Sequence, residues 1–173
     1  MSSVDPRFPI GKFIPQESYT QDELNTLIHT IESIPGKIET ACTQLVASHK
    51  LETPYRPEGW TARQVIHHLA DSHMNAYIRC KWTLTEDTPT IKAYNEKAWA
   101  ETYEIQEDPA LSVYLLKTLH TKWVTLLRAL TSTDLKKSFI HPESGRSMSL
   151  ERMIALYAWH SEHHLGHLKL ILK

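Results

Sequence analysis

The sequence is poor in the features that define the more specialised classes of protein. Its 173 residues include only two cysteines, Cys42 and Cys80, and five glycines. Two cysteines do not make a disulfide framework for a chain of this size, and they fit a reducing compartment. No apolar run reaches the ~18 residues of a membrane helix, and the first residues lack the apolar segment of a secretory signal. We therefore predict a cytoplasmic protein without a membrane partner.

Charge of one sign is not in excess either. The 19 Lys and Arg residues are balanced by 20 Asp and Glu residues, which gives a net charge of −1. Proteins that bind nucleic acid usually carry a basic excess that neutralises phosphates, so this balance speaks against such a partner. The length suits one hydrophobic core. We predict a single domain over residues 1–173.

Apolar residues recur at helical spacing over most of the chain, whereas alternating runs typical of strands are scarce. The sequence therefore predicts an all-α fold, a four-helix bundle with one extra short helix and irregular loops. Two of the long helices begin with capping boxes, Thr20 with Glu23 and Thr61 with Gln64. The predicted elements are an irregular arm over 1–19, helices over 20–47 with a kink at Pro35, 61–84, 109–130 and 149–171, a short helix near 95–103, and a small hairpin in the loop 131–148.

The third long helix begins with a candidate cap, Asp108, followed by a proline, Pro109. Its leucines define the face that we expect to point into the core. The predicted inward residues are Leu111, Leu115, Leu119, Trp123, Leu126, Leu127 and Leu130.

Histidine is the unusually frequent residue, because the chain has 11 and most of them fall in two clusters. The clusters are His67, His68 and His73, and, in the last helix, His160, His163, His164 and His167. Residues four apart share one face of a helix, with Cβ atoms about 5–6 Å apart. His160 and His164 are such a pair and share a direction with Tyr157 and Met153, whereas His163 lies at the margin of that face.

Two imidazoles at this spacing can bind one metal ion, and a third ligand must come from another element. His67 and His68 are the candidates on the second helix. Three protein ligands leave a coordination position open, which is typical of catalytic sites. The alternative interpretation of the clusters is a polar network or a set of solvated histidines. Ser161 follows His160, so the metalloprotease motif HExxH is absent. Outside the clusters, four histidines are interpreted as ordinary core or surface residues: His29, His49, His120 and His141.

Several segments resemble those of one known family. The stretch YRPEGWTARQVIHHLADSHMNAYIR resembles the second helix, and LYAWHSEHHLGHL the last helix, of the DinB/YfiT-like family of metal-binding four-helix bundles. TPTIKAYNEKAWAE and the IHPE segment are similar to its YfiT branch of metal-dependent hydrolases. The resemblance extends over nearly the whole chain.

This resemblance implies one divalent metal ion per chain, bound by three histidines. The family's H-x-x-x-H pair falls on His160 and His164, and its H-L-x-D stretch falls on His68, with His67 as the alternative ligand. Three imidazoles suit Zn²⁺, and Ni²⁺ is the alternative in the protein as isolated. Asp71 is a candidate to hold a ligand's second ring nitrogen and to move protons, the alternative being a surface charge. The resemblance also implies a homodimer.

The implied function is hydrolysis of a small-molecule substrate by metal-activated water. One alternative is a metal-dependent thiol S-transferase of the bacillithiol-transferase type, in which a low-molecular-weight thiol is the cosubstrate. The other is a metal-binding protein without turnover. The sequence identifies the candidate ligands but not the substrate groove, so it leaves these alternatives open.

Overall fold

The computed structural model describes residues 5–173, so the first four residues of the predicted arm lie outside the described part. The elements are nearly all helical, as predicted. In chain order they are α1 (Gln21–Ala47), α2 (Ala62–Thr85), α3 (Glu96–Trp99), a 3-10 turn (Tyr103–Gln106), α4 (Ala110–Arg128), α5 (Ser132–Lys136), β1 (Ser138–His141), β2 (Arg146–Ser149) and α6 (Leu150–Leu172).

The four long helices form the bundle, and their neighbours do not follow the order of the chain. Helix α1 packs against α4 and α6, and α2 packs against the same two helices. Consecutive helices α1 and α2 therefore lie diagonally opposite each other, with α4 and α6 between them. This arrangement brings α2 and α6, the two helices with the histidine clusters, into direct contact.

The helix ends follow the local signals of the sequence. Thr20 with Glu23 and Thr61 with Gln64 form complete capping boxes at the starts of α1 and α2. Helix α4 begins one residue later than predicted, because Pro109 occupies the cap position. Asp108 still contributes, since its Oδ1 accepts a hydrogen bond from the backbone N–H of Ala110 at 2.9 Å.

Helix α1 continues through Pro35 as one element, as the sequence predicts. Proline has no backbone N–H, so the carbonyl four residues earlier, that of Ile31, loses its helical donor. Ile31 is fully buried in the bundle. Its carbonyl oxygen therefore needs a hydrogen-bond donor from another element, and α4 supplies one, as described below.

Helix α4 is rotated about its axis relative to the prediction. Trp123 and Leu127 are buried as expected, but Leu111 and Leu115 are 59% and 43% exposed. The buried face instead carries Ser112, Val113, Leu116, His120, Trp123, Val124 and Leu127. The helix has two apolar rows and can turn only one toward the bundle; the observed row includes His120, which hydrogen-bonds to α1.

The segment before α6 has more structure than the sequence indicated. The predicted hairpin is present, with β1 and β2 antiparallel and Ser138 opposite Ser149. Helix α5, which was predicted as loop, is capped by Thr131 and Asp134.

No helix within residues 5–173 is long and apolar enough to cross a membrane. The single domain and the homodimer stay predictions.

The N-terminal arm is irregular, as predicted, and runs across α6. Trp159 donates a hydrogen bond from its Nε1 to the carbonyl of Gly11 at 3.3 Å. A Cβ atom on Gly166 would lie 2.8 Å from Cγ of Pro9. Glycine at this helical position therefore allows the arm to lie directly on α6, next to the second histidine cluster.

The observed orientation of α4 predicts different effects for two neighbouring leucines. Leu116→Ala should lower the free energy of unfolding by about 2–5 kcal/mol, because it leaves a cavity in the bundle. Leu115→Ala should cost less than about 1 kcal/mol, because that side chain is partly in solvent. Urea unfolding of the two variants measures this difference. A larger loss of stability in Leu115→Ala than in Leu116→Ala would contradict the observed orientation of α4 and support the one predicted from the sequence.

Candidate metal centre

Helices α2 and α6 bring three imidazoles together at their contact. One ring nitrogen from each of His68, His160 and His164 lies within 4.8 Å of the other two. No second group of three or more potential ligands of this kind occurs within residues 5–173. The structure thus brings together the three histidines that the family resemblance implied, His68 from α2 and the i, i+4 pair from α6.

The spacing of one pair of these nitrogens fits a metal ion better than a hydrogen bond. Nε2 of His68 and Nε2 of His160 are 3.4 Å apart. This is longer than the ~2.7–3.2 Å of ordinary hydrogen bonds to nitrogen donors. Two nitrogens bound tetrahedrally to one Zn²⁺ ion at ~2.0–2.1 Å are themselves about 3.3–3.4 Å apart. This pair distance, together with the convergence of three imidazole donors, fits a divalent cation that prefers imidazole ligands.

Burial keeps these imidazoles uncharged at neutral pH. It lowers the pKa of His68 to about 4, with a smaller contribution from His167. Burial, followed by the neighbouring histidines, also lowers the pKa values of His160 and His164 well below the usual range. Only a neutral imidazole has a lone pair for a metal, so the cluster is ready to bind a cation without first losing protons.

The two adjacent histidines of α2 point in different directions. The Nδ1 atom of His67 is 2.8 Å from Oγ of Ser112 on α4, so this imidazole faces away from the cluster. His68 faces α6, and Trp60 packs against its ring at a centroid distance of 4.6 Å. Neighbouring positions on a helix differ by about 100° in direction, which explains why one of them reaches α6 and the other α4.

The other two histidines of α6 surround the cluster rather than complete it. His163 stacks on Trp159, with ring centroids 4.4 Å apart, and lies beneath the arm near Phe8. His167 has its Nδ1 atom 3.3 Å from Nδ1 of His164. His167 is therefore a neighbour of one candidate ligand, and His163 belongs to the wall of the site.

Asp71 is not brought to the cluster. In the described part of the chain, its carboxylate makes no hydrogen bond to an imidazole, and Asn75 bonds only to its backbone carbonyl. The side chain is half-buried, and burial, together with the charge of Glu104, raises its pKa to about 6. The predicted contact between Asp71 and a ligand's second ring nitrogen is thus absent from residues 5–173.

His73 and His120 occupy the place that the sequence analysis gave to Asp71. Nε2 of His73 lies 3.2 Å from Nδ1 of His160, and Nδ1 of His73 lies 2.7 Å from Nε2 of His120. His120 donates from its Nδ1 to the carbonyl oxygen of Ile31 at 2.6 Å. The sequence analysis interpreted His120 as an ordinary core or surface residue. Pro35, which frees the Ile31 carbonyl, is the signal that could have indicated its partner.

A cleft of about 740 Å³ leads to the cluster, and His160 keeps partial exposure. Apart from Gln64, its other lining side chains are aromatic or charged, with charges of both signs. They are Arg7, Tyr55, Arg56, Glu58, Trp60, Glu96, Lys97, Glu101 and Trp159. Within this lining, Glu101 accepts a hydrogen bond from Nε2 of Gln64 at 2.8 Å. Gln64 lies one helical turn before His68, so Glu101 is held on the side of the cleft next to that imidazole.

Comparison with known proteins agrees with this description. The family model described as the DinB superfamily matches residues 39–168. The chain is 46% identical over 169 residues to YfiT of Bacillus subtilis (strain 168), a proposed metal-dependent hydrolase, and the alignment covers 97% of this chain and 94% of that protein. A protein of Oceanobacillus iheyensis with the same proposed activity is 45% identical, with 98% of each chain covered.

Solved structures give the same picture of the fold. The structure of Bacillus subtilis YfiT, described as having an unusual four-helix bundle topology, matches with a TM-score of 0.93 at 45% identity and covers 97% of this chain and 96% of its own. The structure of a mycothiol-dependent maleylpyruvate isomerase matches with a TM-score of 0.67 at 15% identity and covers 84% of this chain and 60% of its own. The second match shows a shared fold alone.

The directions in which the histidines of α6 point predict which of them metal binding requires. His164→Ala should abolish retention of Zn²⁺, because it removes one of three ligands. His163→Ala is the matched control: it alters the neighbouring imidazole, which packs on Trp159, and should leave about one ion per chain. Elemental analysis of both proteins, purified without chelators, measures the ratio. Loss of metal in the His163 variant with retention in the His164 variant would contradict the assignment.

The lowered pKa values predict how the stability of the metal-free protein depends on pH. Burial lowers the pKa values of His68 and His120 to about 4 in the folded chain, whereas the pKa of an exposed histidine is about 6.5. Between these values the unfolded chain binds protons that the folded chain does not, so the free energy of unfolding falls as the pH falls. Each such histidine contributes at most about 1.4 kcal/mol per pH unit in that window.

Urea unfolding of the metal-free protein at about pH 7, 6 and 5 measures this slope. His120→Gln removes one of the two buried imidazoles and should make this slope shallower. A stability that is constant or rises on acidification would show that the buried imidazoles are charged in the folded state.

Proposed function

The chain belongs to the DinB superfamily, and from this membership and its histidine cluster we propose that it is a metal-dependent hydrolase of a small molecule. The observation that carries the proposal is the convergence of three neutral imidazoles at the end of a cleft. A purely structural metal site is usually closed by four protein ligands, whereas three ligands beside a cleft leave a position for water or substrate. Relatives that align over nearly the full chain carry the same proposed activity.

In this proposal His68, His160 and His164 hold the ion. A divalent cation bound there, Zn²⁺ by preference and Ni²⁺ as the alternative, would polarise a substrate carbonyl and make nearby water more acidic. The protein's own contribution is to keep the three imidazoles neutral by burial, and to fix the ring of His68 by packing it against Trp60.

Hydrolysis also needs a group that accepts the proton of the attacking water. Glu101 is the carboxylate that we assign to this role, because its hydrogen bond to Gln64 holds it in the cleft one turn from His68. Asp71 is less suitable, because it is not among the residues that line the cleft.

The cleft favours a compact substrate with both apolar and polar parts. Its volume, about 740 Å³, is within the range of small-molecule sites. Tyr55, Trp60 and Trp159 offer flat apolar surfaces, and charged side chains of both signs surround them. These features support a small organic molecule rather than a polymer.

One observation favours a second candidate function. Three cationic side chains, Arg7, Arg56 and Lys97, line the cleft and would suit an anionic low-molecular-weight thiol. A thiol that binds a divalent cation loses its proton and becomes a nucleophile for S-transfer. Hydrolysis remains the preferred proposal, because three carboxylates share the cleft with these cations and balance their charge.

The test is turnover by metal-loaded protein. We expect Zn²⁺-loaded protein to hydrolyse members of a panel of activated esters and amides, and chelator-stripped protein to be inactive until Zn²⁺ is restored. Glu101→Gln should lower the rate about 10²–10⁴-fold, because the proton acceptor is lost, with the metal content unchanged. Glu104→Gln is the matched control, since this exposed carboxylate lies outside the cleft lining and should leave the rate unaltered.

The same panel, repeated with and without low-molecular-weight thiols, separates the candidate functions. If the product contains the thiol and forms only when the thiol is present, the protein is an S-transferase and the hydrolase proposal is wrong. Full metal occupancy with no turnover in either arm would reduce the proposal to a metal-binding protein.

A further inference from the structure

A continuous row of hydrogen-bonding groups leads from the backbone of α1 to the candidate metal site. It begins at the carbonyl of Ile31 and passes through the imidazoles of His120 and His73 to that of His160. The three successive distances are 2.6, 2.7 and 3.2 Å. Three different helices, α1, α4 and α2, therefore act in sequence on one side chain of α6.

The start of the row is available because of Pro35. In a regular helix the carbonyl of Ile31 would accept the N–H of residue 35, and proline has none. The oxygen is thus free to accept from His120, whose Nδ1 lies 2.6 Å away. A carbonyl oxygen can only accept, so Nδ1 of His120 must carry the proton.

This starting point fixes the direction of every later hydrogen bond. A neutral imidazole with its proton on Nδ1 has a bare Nε2, so Nε2 of His120 accepts from Nδ1–H of His73. For the same reason Nε2 of His73 accepts from Nδ1–H of His160. The proton of His160 is therefore held on Nδ1, and its Nε2 is bare and lies 3.4 Å from Nε2 of His68.

We propose that Ile31, His120 and His73 form a positioning relay that sets the tautomer of His160, so that its Nε2 lone pair is presented to the metal. This inference rests on the proposed metal-dependent function and adds the residues that prepare one ligand for it. His73 and His120 are positioning residues, because they act through His160 and make no part of the three-nitrogen cluster.

The surroundings of the relay support this ordered arrangement. His73 is fully buried, and its ring plane lies within 7° of that of His120, which suits a hydrogen bond in the plane of both rings. Trp123 and Tyr157 meet the ring of His73 edge-on, at 82° and 84°. His73, at the centre of the relay, therefore has no exposed surface at which water could replace either of its two hydrogen-bond partners.

The direct test is the tautomer of His160 in the metal-free protein. Long-range proton–nitrogen correlation NMR on protein with isotope-labelled histidine distinguishes the Nδ1–H from the Nε2–H form, and a His160→Gln variant assigns the signal. We expect His160, His73 and His120 all to be in the Nδ1–H form. An Nε2–H form of His160 would overturn the proposal without any appeal to activity.

Variants of His73 test the consequence for metal binding. His73→Leu removes the acceptor for His160, so the Nδ1–H signature should disappear and the affinity for Zn²⁺, measured by competition with a chromophoric chelator, should fall about 10–100-fold. His73→Gln should restore most of the affinity, because its amide both accepts and donates. His67→Leu is the matched control, as this buried imidazole lies next to His68 but bonds to Ser112.

The outcomes separate the relay from the proposed function. Equal losses of affinity in the Leu and Gln variants, or no loss in His73→Leu, would overturn the relay while leaving the metal site intact. Failure of the wild-type protein to bind Zn²⁺ would overturn the proposed function itself. If His73→Leu does not fold, the tautomer of His160 in the wild-type protein still decides the question.

Discussion

An imidazole that leaves water loses hydrogen-bond partners on two nitrogens, and each one left unpaired costs about 1–3 kcal/mol. This constraint governs the centre of the bundle, where His73 and His120 are buried with their nitrogens paired to each other, to His160 and to a backbone carbonyl. These hydrogen bonds determine the orientation of the candidate ligand His160. The one nitrogen of His160 that the relay leaves without a proton is the one that faces the imidazole of His68.

The order of the helices around the bundle makes this arrangement possible. Because α1 and α2 lie diagonally opposite each other, α2 contacts both α4 and α6. His73 can therefore reach His120 on α4 with one ring nitrogen and His160 on α6 with the other. A bundle in which consecutive helices were all neighbours would separate at least one of these pairs. The topology thus has a chemical consequence. The diagonal helices α1 and α2 are joined through His120 of α4, and the diagonal helices α4 and α6 are joined through His73 of α2.

Local signals made much of the fold and part of the site predictable. The capping boxes at Thr20 and Thr61 and the i, i+4 pair His160 and His164 depend only on residues within one or two turns. The orientation of α4 was not predictable in this way, because Leu115 and Leu116 are equally apolar and only the neighbouring helices decide which is buried. Two features of the site depend on contacts between helices and could not be predicted from spacing within one helix. They are the hydrogen bond of His73 to His160 and, among the described residues, the absence of one from Asp71 to a candidate ligand.

Pro35 and His120 show how two locally unfavourable residues can be compatible. A proline within a helix costs about 3 kcal/mol, partly through the lost hydrogen bond, and a buried imidazole needs an acceptor that an apolar core rarely offers. Here the carbonyl of Ile31, which Pro35 leaves without a donor, is the acceptor that His120 needs. A hydroxyl or a water molecule in its place could donate as well as accept, and the direction of the row of imidazoles would then be undefined. Because a carbonyl only accepts, the interruption in α1 both satisfies His120 and determines which nitrogen of His160 keeps its lone pair.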